Sequence, residues 1–117
     1  GIWVAHGMFG LPLLQVSQKH RAEGHLYFSE FVATLGLLGA IALAGKKRVE
    51  WAPLVISAYI TSAYWFTSST SFANPAVTVA RAWTDTFSGM APSGILGFVA
   101  AQVAAGIVVH QAGRWLR

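Results

Sequence analysis

Asn74, Pro75 and Ala76 carry the most specific chemistry in this sequence, and they lie between two apolar segments, 56–66 and 95–109. Asparagine is among the strongest helix N-caps and proline suits the first helical position. The pair therefore starts a helix sharply, running on through Val77, Thr78, Val79 and Ala80. Capping engages the Asn74 side-chain oxygen with a backbone N–H and leaves its NH2 group free to donate to a passing oxygen atom. If the flanking segments cross a bilayer, this short helix stops at mid-depth with its N–H groups and positive dipole end turned inward. In a soluble loop the same dipeptide would be an ordinary turn, and the apolar flanks argue against that.

Glu30 is the second such residue. A carboxylate about one turn into an apolar helix is costly in lipid and marks either function or a buried partner. One reading is a proton-relay acid in a coupled transporter, but no second buried acid or well-placed histidine completes a relay. Ser68, Ser69 and Thr70 have no paired base, so they suit the lining of a wet cavity better than nucleophilic catalysis. His6, His20, His25 and His110 share no metal-ligand spacing, so neither a metal nor a cofactor is expected, and an enzyme is the least favoured class. The eight Lys and Arg are scattered apart from Lys46, Lys47 and Arg48, which speaks against nucleic acid as a partner.

The elements that must position these residues are apolar helices. Of 117 residues 55% are hydrophobic and 10% charged, against about 25% charged in soluble domains. So few charges cannot easily cover a soluble surface. A mean hydropathy of +0.53 and five tryptophans point to a bilayer too.

Residues 1–14 begin inside an apolar run without an initiator Met, so the chain is expected to be a fragment whose first helix is truncated. Residues 15–25 form a polar connector, and 26–44 are close to the roughly 20 residues of a spanning helix. A charged loop follows at 46–50, then a second apolar segment at 51–66 with Pro53 in its first turn. Residues 67–73 (TSSTSFA) form an irregular hydroxylic stretch. The half-helix covers 75–85, with Arg81 pairing Asp85 at i+4 or else leaning back toward the vestibule. A turn at 86–93 leads to the last span at 94–111, where Gly97, Ala101 and Ala105 suit close helix packing. The fold is thus all-α and transmembrane. The cluster at 46–48 and the C-terminal Arg114 and Arg117 belong on the cytoplasmic side, and Lys19 and Arg21 on the outer connector weaken that rule slightly.

Residues 64–90, YWFTSSTSFANPAVTVARAWTDTFSGM, together with SEFVAT at 29–34, resemble the aquaporin and glycerol-facilitator family. The resemblance covers residues 1–117 as the C-terminal half of one channel domain. It implies the second inverted repeat of that fold: the end of helix 3, helices 4 and 5, the re-entrant half-helix and helix 6. Members contain two such repeats whose NPA half-helices meet at mid-membrane, and this chain supplies one. By resemblance Glu30 accepts hydrogen bonds from backbone N–H groups around 70–73 and supports the loop. The family also implies a homotetramer in the lipid bilayer, here the bacterial inner membrane.

At the selectivity filter the sequence departs from the family. Most members carry arginine directly after NPA, where this chain has Val77. Counted without gaps, the other positions from this half are Ser62, where water-selective members have histidine, and Ser71. Two small hydroxyls and a valine make a wider neck without a fixed cation, open to water and to small neutral solutes such as polyols, urea or metalloid hydroxides. The wording is most like bacterial channels found near arsenic-resistance genes, which implies passage of arsenite as its neutral hydroxide. The absence of cysteine fits passage better than capture. A passive channel is therefore expected, with an ion- or proton-coupled transporter and a non-conducting half-channel as the alternatives.

Overall fold

The computed structural model describes residues 1–115, so Leu116 and Arg117 of the basic C-terminus lie outside the described residues. Those residues fold into five α-helices without a strand: α1 (Ile2–Met8), α2 (Gly24–Lys47), α3 (Ala52–Phe66), α4 (Pro75–Arg81) and α5 (Ile95–Trp115). Single 3-10 turns at Val49–Trp51 and Pro92–Gly94 lead into α3 and α5.

The long helices exceed their expected lengths. The 24 residues of α2 extend roughly 36 Å, and the 21 of α5 roughly 32 Å, enough for a hydrocarbon core of about 30 Å. The regions Gly24–Lys46 and Pro92–Arg114 are both long and apolar enough to cross a membrane. A cation such as Lys46 near a helix C-terminus complements the dipole; α2 runs through Lys47 and the charged loop shrinks. By contrast α3 has 15 residues and starts one residue later than expected, because the 3-10 turn takes up Trp51.

The first helix also stops early, at Met8. Gly10 adopts a positive φ of 66°, Leu11 N–H donates to His6 O (2.8 Å) and Gly10 N–H to Gly7 O (3.4 Å). This is a Schellman ending, which glycine permits at low strain. The chain then runs as an irregular connector to Glu23.

Helices α2 and α5 run parallel. At one end the Tyr27 ring covers Gly97 and meets Phe98 edge-on at 5.9 Å. Further along, Ala105 is fully buried and Gly106 faces Leu38. Helix α3 returns antiparallel along α2, with the Tyr59 hydroxyl donating to Ala33 O (2.9 Å) and its side chain packed on Gly36. A Cβ at Gly36 or Gly97 would overlap the covering tyrosine.

The interior is unusual for a small fold. A compact apolar cluster of Leu26, Phe72, Met90 and Phe98, with Tyr27, Val77 and Ile95 packed on it, sits at the loop end. Among the described residues, twelve buried ones are polar or charged against ten hydrophobic. Leu43, Leu54, Leu96 and Ile107 face outward. Apolar outside and polar inside is the arrangement expected where the surrounding solvent is lipid.

Candidate functional site

The site is built on backbone that belongs to neither helix nor strand. Residues 67–74 join α3 to α4, and Thr70, Ser71 and Ala73 hold φ values of 61°, 46° and 50°. Left-handed conformations cost non-glycine residues on the order of 1–3 kcal/mol each and persist only where the surroundings over-determine them. Here the determinants are side chains from distant elements.

Glu30, fully buried on α2, accepts from Phe72 N–H through Oε2 (3.2 Å) and from Ala73 N–H through Oε1. Gln102 on α5 donates to the same Oε1 (2.8 Å) and to the Thr78 hydroxyl (2.8 Å). Thr78 in turn donates to Asn74 O from its hydroxyl (2.9 Å) and its N–H (2.9 Å). One polar chain therefore ties α2, α5, the loop and the start of α4 together inside the protein. Nearby, the Ser29 hydroxyl accepts from Ser69 N–H (3.2 Å).

Asn74 caps α4 from extended backbone, its Oδ1 accepting from Ala76 N–H (2.8 Å), with Pro75 in the first turn. Among the described residues no protein group occupies its NH2. Asn74, Pro75 and Ala76 are exposed, as a motif presented to a neighbour or a passage would be.

The half-helix ends at Arg81, four residues short of the expected Asp85. Its last carbonyls are taken from outside: Ser17 N–H donates to Ala82 O (2.9 Å) and Met90 N–H to Arg81 O (3.1 Å). Those bonds satisfy the orphan acceptors and leave nothing for a further turn. The expected Arg81–Asp85 ion pair does not form, because Asp85 is off the helix and accepts from Gln18 N–H (2.9 Å). The Arg81 guanidinium lies over the Phe72 ring, 4.2 Å from its centroid.

Ser62, Ser71 and Val77 fall in different settings. Ser62 is on an exposed face of α3, its hydroxyl donating to Ala58 O (2.8 Å). Ser71 is buried and its hydroxyl has no partner. Val77 is half-buried against the apolar cluster and lines a cavity of about 670 Å³ with His6, Ala80, Arg81 and Thr84, which Ser62 and Ser71 do not line.

Three supporting residues carry no signal in the sequence. Arg21 sits in the connector, yet is only 7% exposed. Its Nε donates to Gly89 O (3.0 Å), Nη1 to Ser69 O (3.3 Å) and Nη2 to Phe87 O (3.0 Å). It thereby clamps the segments before and after α4 to each other. Burial lowers its pKa from the usual arginine value, and Tyr64 partly offsets that. Lys19 similarly donates to Phe87 O (3.0 Å), so both connector cations are engaged by loop carbonyls. His6 is buried between Leu13 O (3.0 Å from Nδ1) and the Thr84 hydroxyl (2.8 Å from Nε2). Since a carbonyl only accepts, Nδ1 carries the proton.

No protein-family model matches the chain, and no solved structure matches it. It is 45% identical over 116 residues to the aquaglyceroporin AqpS of Rhizobium meliloti (strain 1021), covering 99% of this chain and 50% of that protein. The chain therefore spans about half the length of this curated relative.

Proposed function

The chain belongs to the aquaporin and glycerol-facilitator family, corresponding to the C-terminal half of its members, and we propose that it forms half of a passive transmembrane channel for water and small neutral solutes. In this reading residues 1–117 are the second inverted repeat. The end of helix 3 is α1, helices 4 and 5 are α2 and α3, the re-entrant half-helix is α4, and helix 6 is α5. A first repeat with its own half-helix completes the pore, in a homotetramer in the bacterial inner membrane.

The observation that carries this reading is the buried chain from Glu30 through Gln102 and Thr78 to Asn74 O. It supports a short helix whose capped start is presented outward, toward the first repeat that would face it, and irregular backbone in a membrane is tolerated only beside protein or a wet cavity. Asn74 then offers its NH2 to a solute oxygen that has shed water. Glu30 is the loop's support rather than a relay: its two oxygens are engaged by three N–H donors.

Ser62, Ser71 and Val77 are this half's contribution to the neck. Without a histidine and an arginine at these positions the opening is wider, favouring glycerol-like polyols, urea and arsenite as the neutral hydroxide beside water.

The test is solute flux into proteoliposomes carrying this chain with its first repeat. Glycerol entry is expected to rise linearly with concentration and to be independent of a sodium or proton gradient. Saturation that shifts with pH would point to a coupled transporter. No flux above lipid alone would leave a non-conducting half-channel.

A further inference from the structure

The cavity beside Val77 has a wall that is almost wholly apolar or hydroxylic, with Ile2, Phe9, Leu11, Thr84, Thr86 and Ser88 among its lining. Arg81 is the one permanently charged side chain in that lining. It stands four residues after Val77, which on a helix puts both on one face, one turn apart.

Three features keep this charge in place and without a direct ion pair. The guanidinium stacks on Phe72 (4.2 Å) and approaches the Tyr64 ring (6.0 Å). Phe72 is itself fixed through its N–H to Glu30. Arg81 makes no ion pair among the described residues, since Asp85 serves Gln18 N–H, and its buried Nη1 has no hydrogen-bond acceptor. Arg21 lies 5.8 Å from the same ring, but each of its three nitrogens already donates to a loop carbonyl.

We infer that Arg81 is a specificity-determining residue: it supplies the fixed cation of the outer vestibule, set one helical turn back from the neck position that Val77 occupies. This rests on the channel reading above. A relaxed neck and a charge barrier are then separate devices. Val77 leaves room for polyhydroxyl solutes, while Arg81 repels cations and offers N–H donors to solute oxygens.

The experiment compares wild type, Arg81→Met and Arg81→Lys in proteoliposomes containing this chain with its first repeat. Glycerol-driven volume change and sodium leak are read on the same vesicles. Methionine keeps an unbranched stem over Phe72 and removes the charge. Arg81→Met is expected to raise sodium leak about tenfold, the scale of one charge acting over roughly 10 Å at an effective dielectric constant of about 20. Glycerol flux should stay within about twofold in a neck whose size is unchanged, and Arg81→Lys should stay as tight to sodium as wild type. Should Arg81→Met fail to insert, Arg81→Gln provides the same comparison. Unchanged leak with glycerol flux retained would overturn the inference, as would an Arg81→Lys variant that leaks like Arg81→Met. Wild-type vesicles that pass no glycerol would instead bring down the channel reading itself.

Discussion

The two ends of this helical bundle are stabilised by different means. At the end holding the connector, residues 67–74 and the segment after α4, the backbone is irregular and its groups are satisfied by the buried Glu30, Arg21 and His6 and the half-buried Ser29. At the other end α2, α3 and α5 are continuous helices that satisfy their own backbones. Gly39, Gly45 and Gly113 there face open space, and the Arg48–Glu50 pair is exposed and stretched to 3.9 Å, a contact worth little. The contrast teaches where sequence is constrained. Helical backbone needs only apolar side chains to sit in a membrane, whereas unwound backbone needs specific polar partners that are themselves costly to bury.

That contrast can be broken most sharply at Glu30. Replacing Glu30 with Ala leaves the Phe72 and Ala73 N–H groups and Gln102 without their acceptor, and a loss on the order of 3–5 kcal/mol is expected, with abolished flux. Thermal unfolding in detergent measures it. Arg21→Ala removes the donors to Gly89 O and Ser69 O and one of the two to Phe87 O, and should cost about 2–3 kcal/mol, read in the same assay and as faster proteolysis between 67 and 90. Gly97→Val tests the helical side of the comparison near the junction. Its side chain must displace the Tyr27 ring, for about 1–3 kcal/mol. Gly39→Ala has open space around it and should be neutral or stabilising by roughly 0.5–1 kcal/mol, through helix propensity alone. An effect at Gly39 as large as that at Glu30 would erase the distinction between the two ends.

The same division explains what the sequence disclosed. The start of α4 is legible because capping by Asn74 and the fixed φ of Pro75 are local. Glu30 stands out because one carboxylate in an apolar run is conspicuous. The end of α4 is not legible, since the bonds that stop it come from Ser17 and Met90. The i+4 pair with Asp85 fails for that reason: periodicity assumes a helix that long-range bonds have already ended. Arg21 reads as a surface cation in a polar connector, and its acceptors lie 48 to 68 residues away. His6 likewise finds its partner 78 residues downstream. Family resemblance reaches the all-helical class and the capped start of α4, because both are carried by short runs of residues. It does not reach the cavity shared by Val77 and Arg81, which depends on how α1 and the loop after α4 close over the half-helix.

The most direct test of the proposed widened neck is a paired measurement of glycerol and water permeability in wild type and Val77→Arg, in vesicles that also contain the proposed first repeat. A guanidinium in place of the valine should cut glycerol flux about tenfold or more while water flux changes less than about threefold, because pore diameter and lining groups discriminate by solute size. Glycerol flux unaltered by Val77→Arg would contradict the assignment of Val77 to the neck.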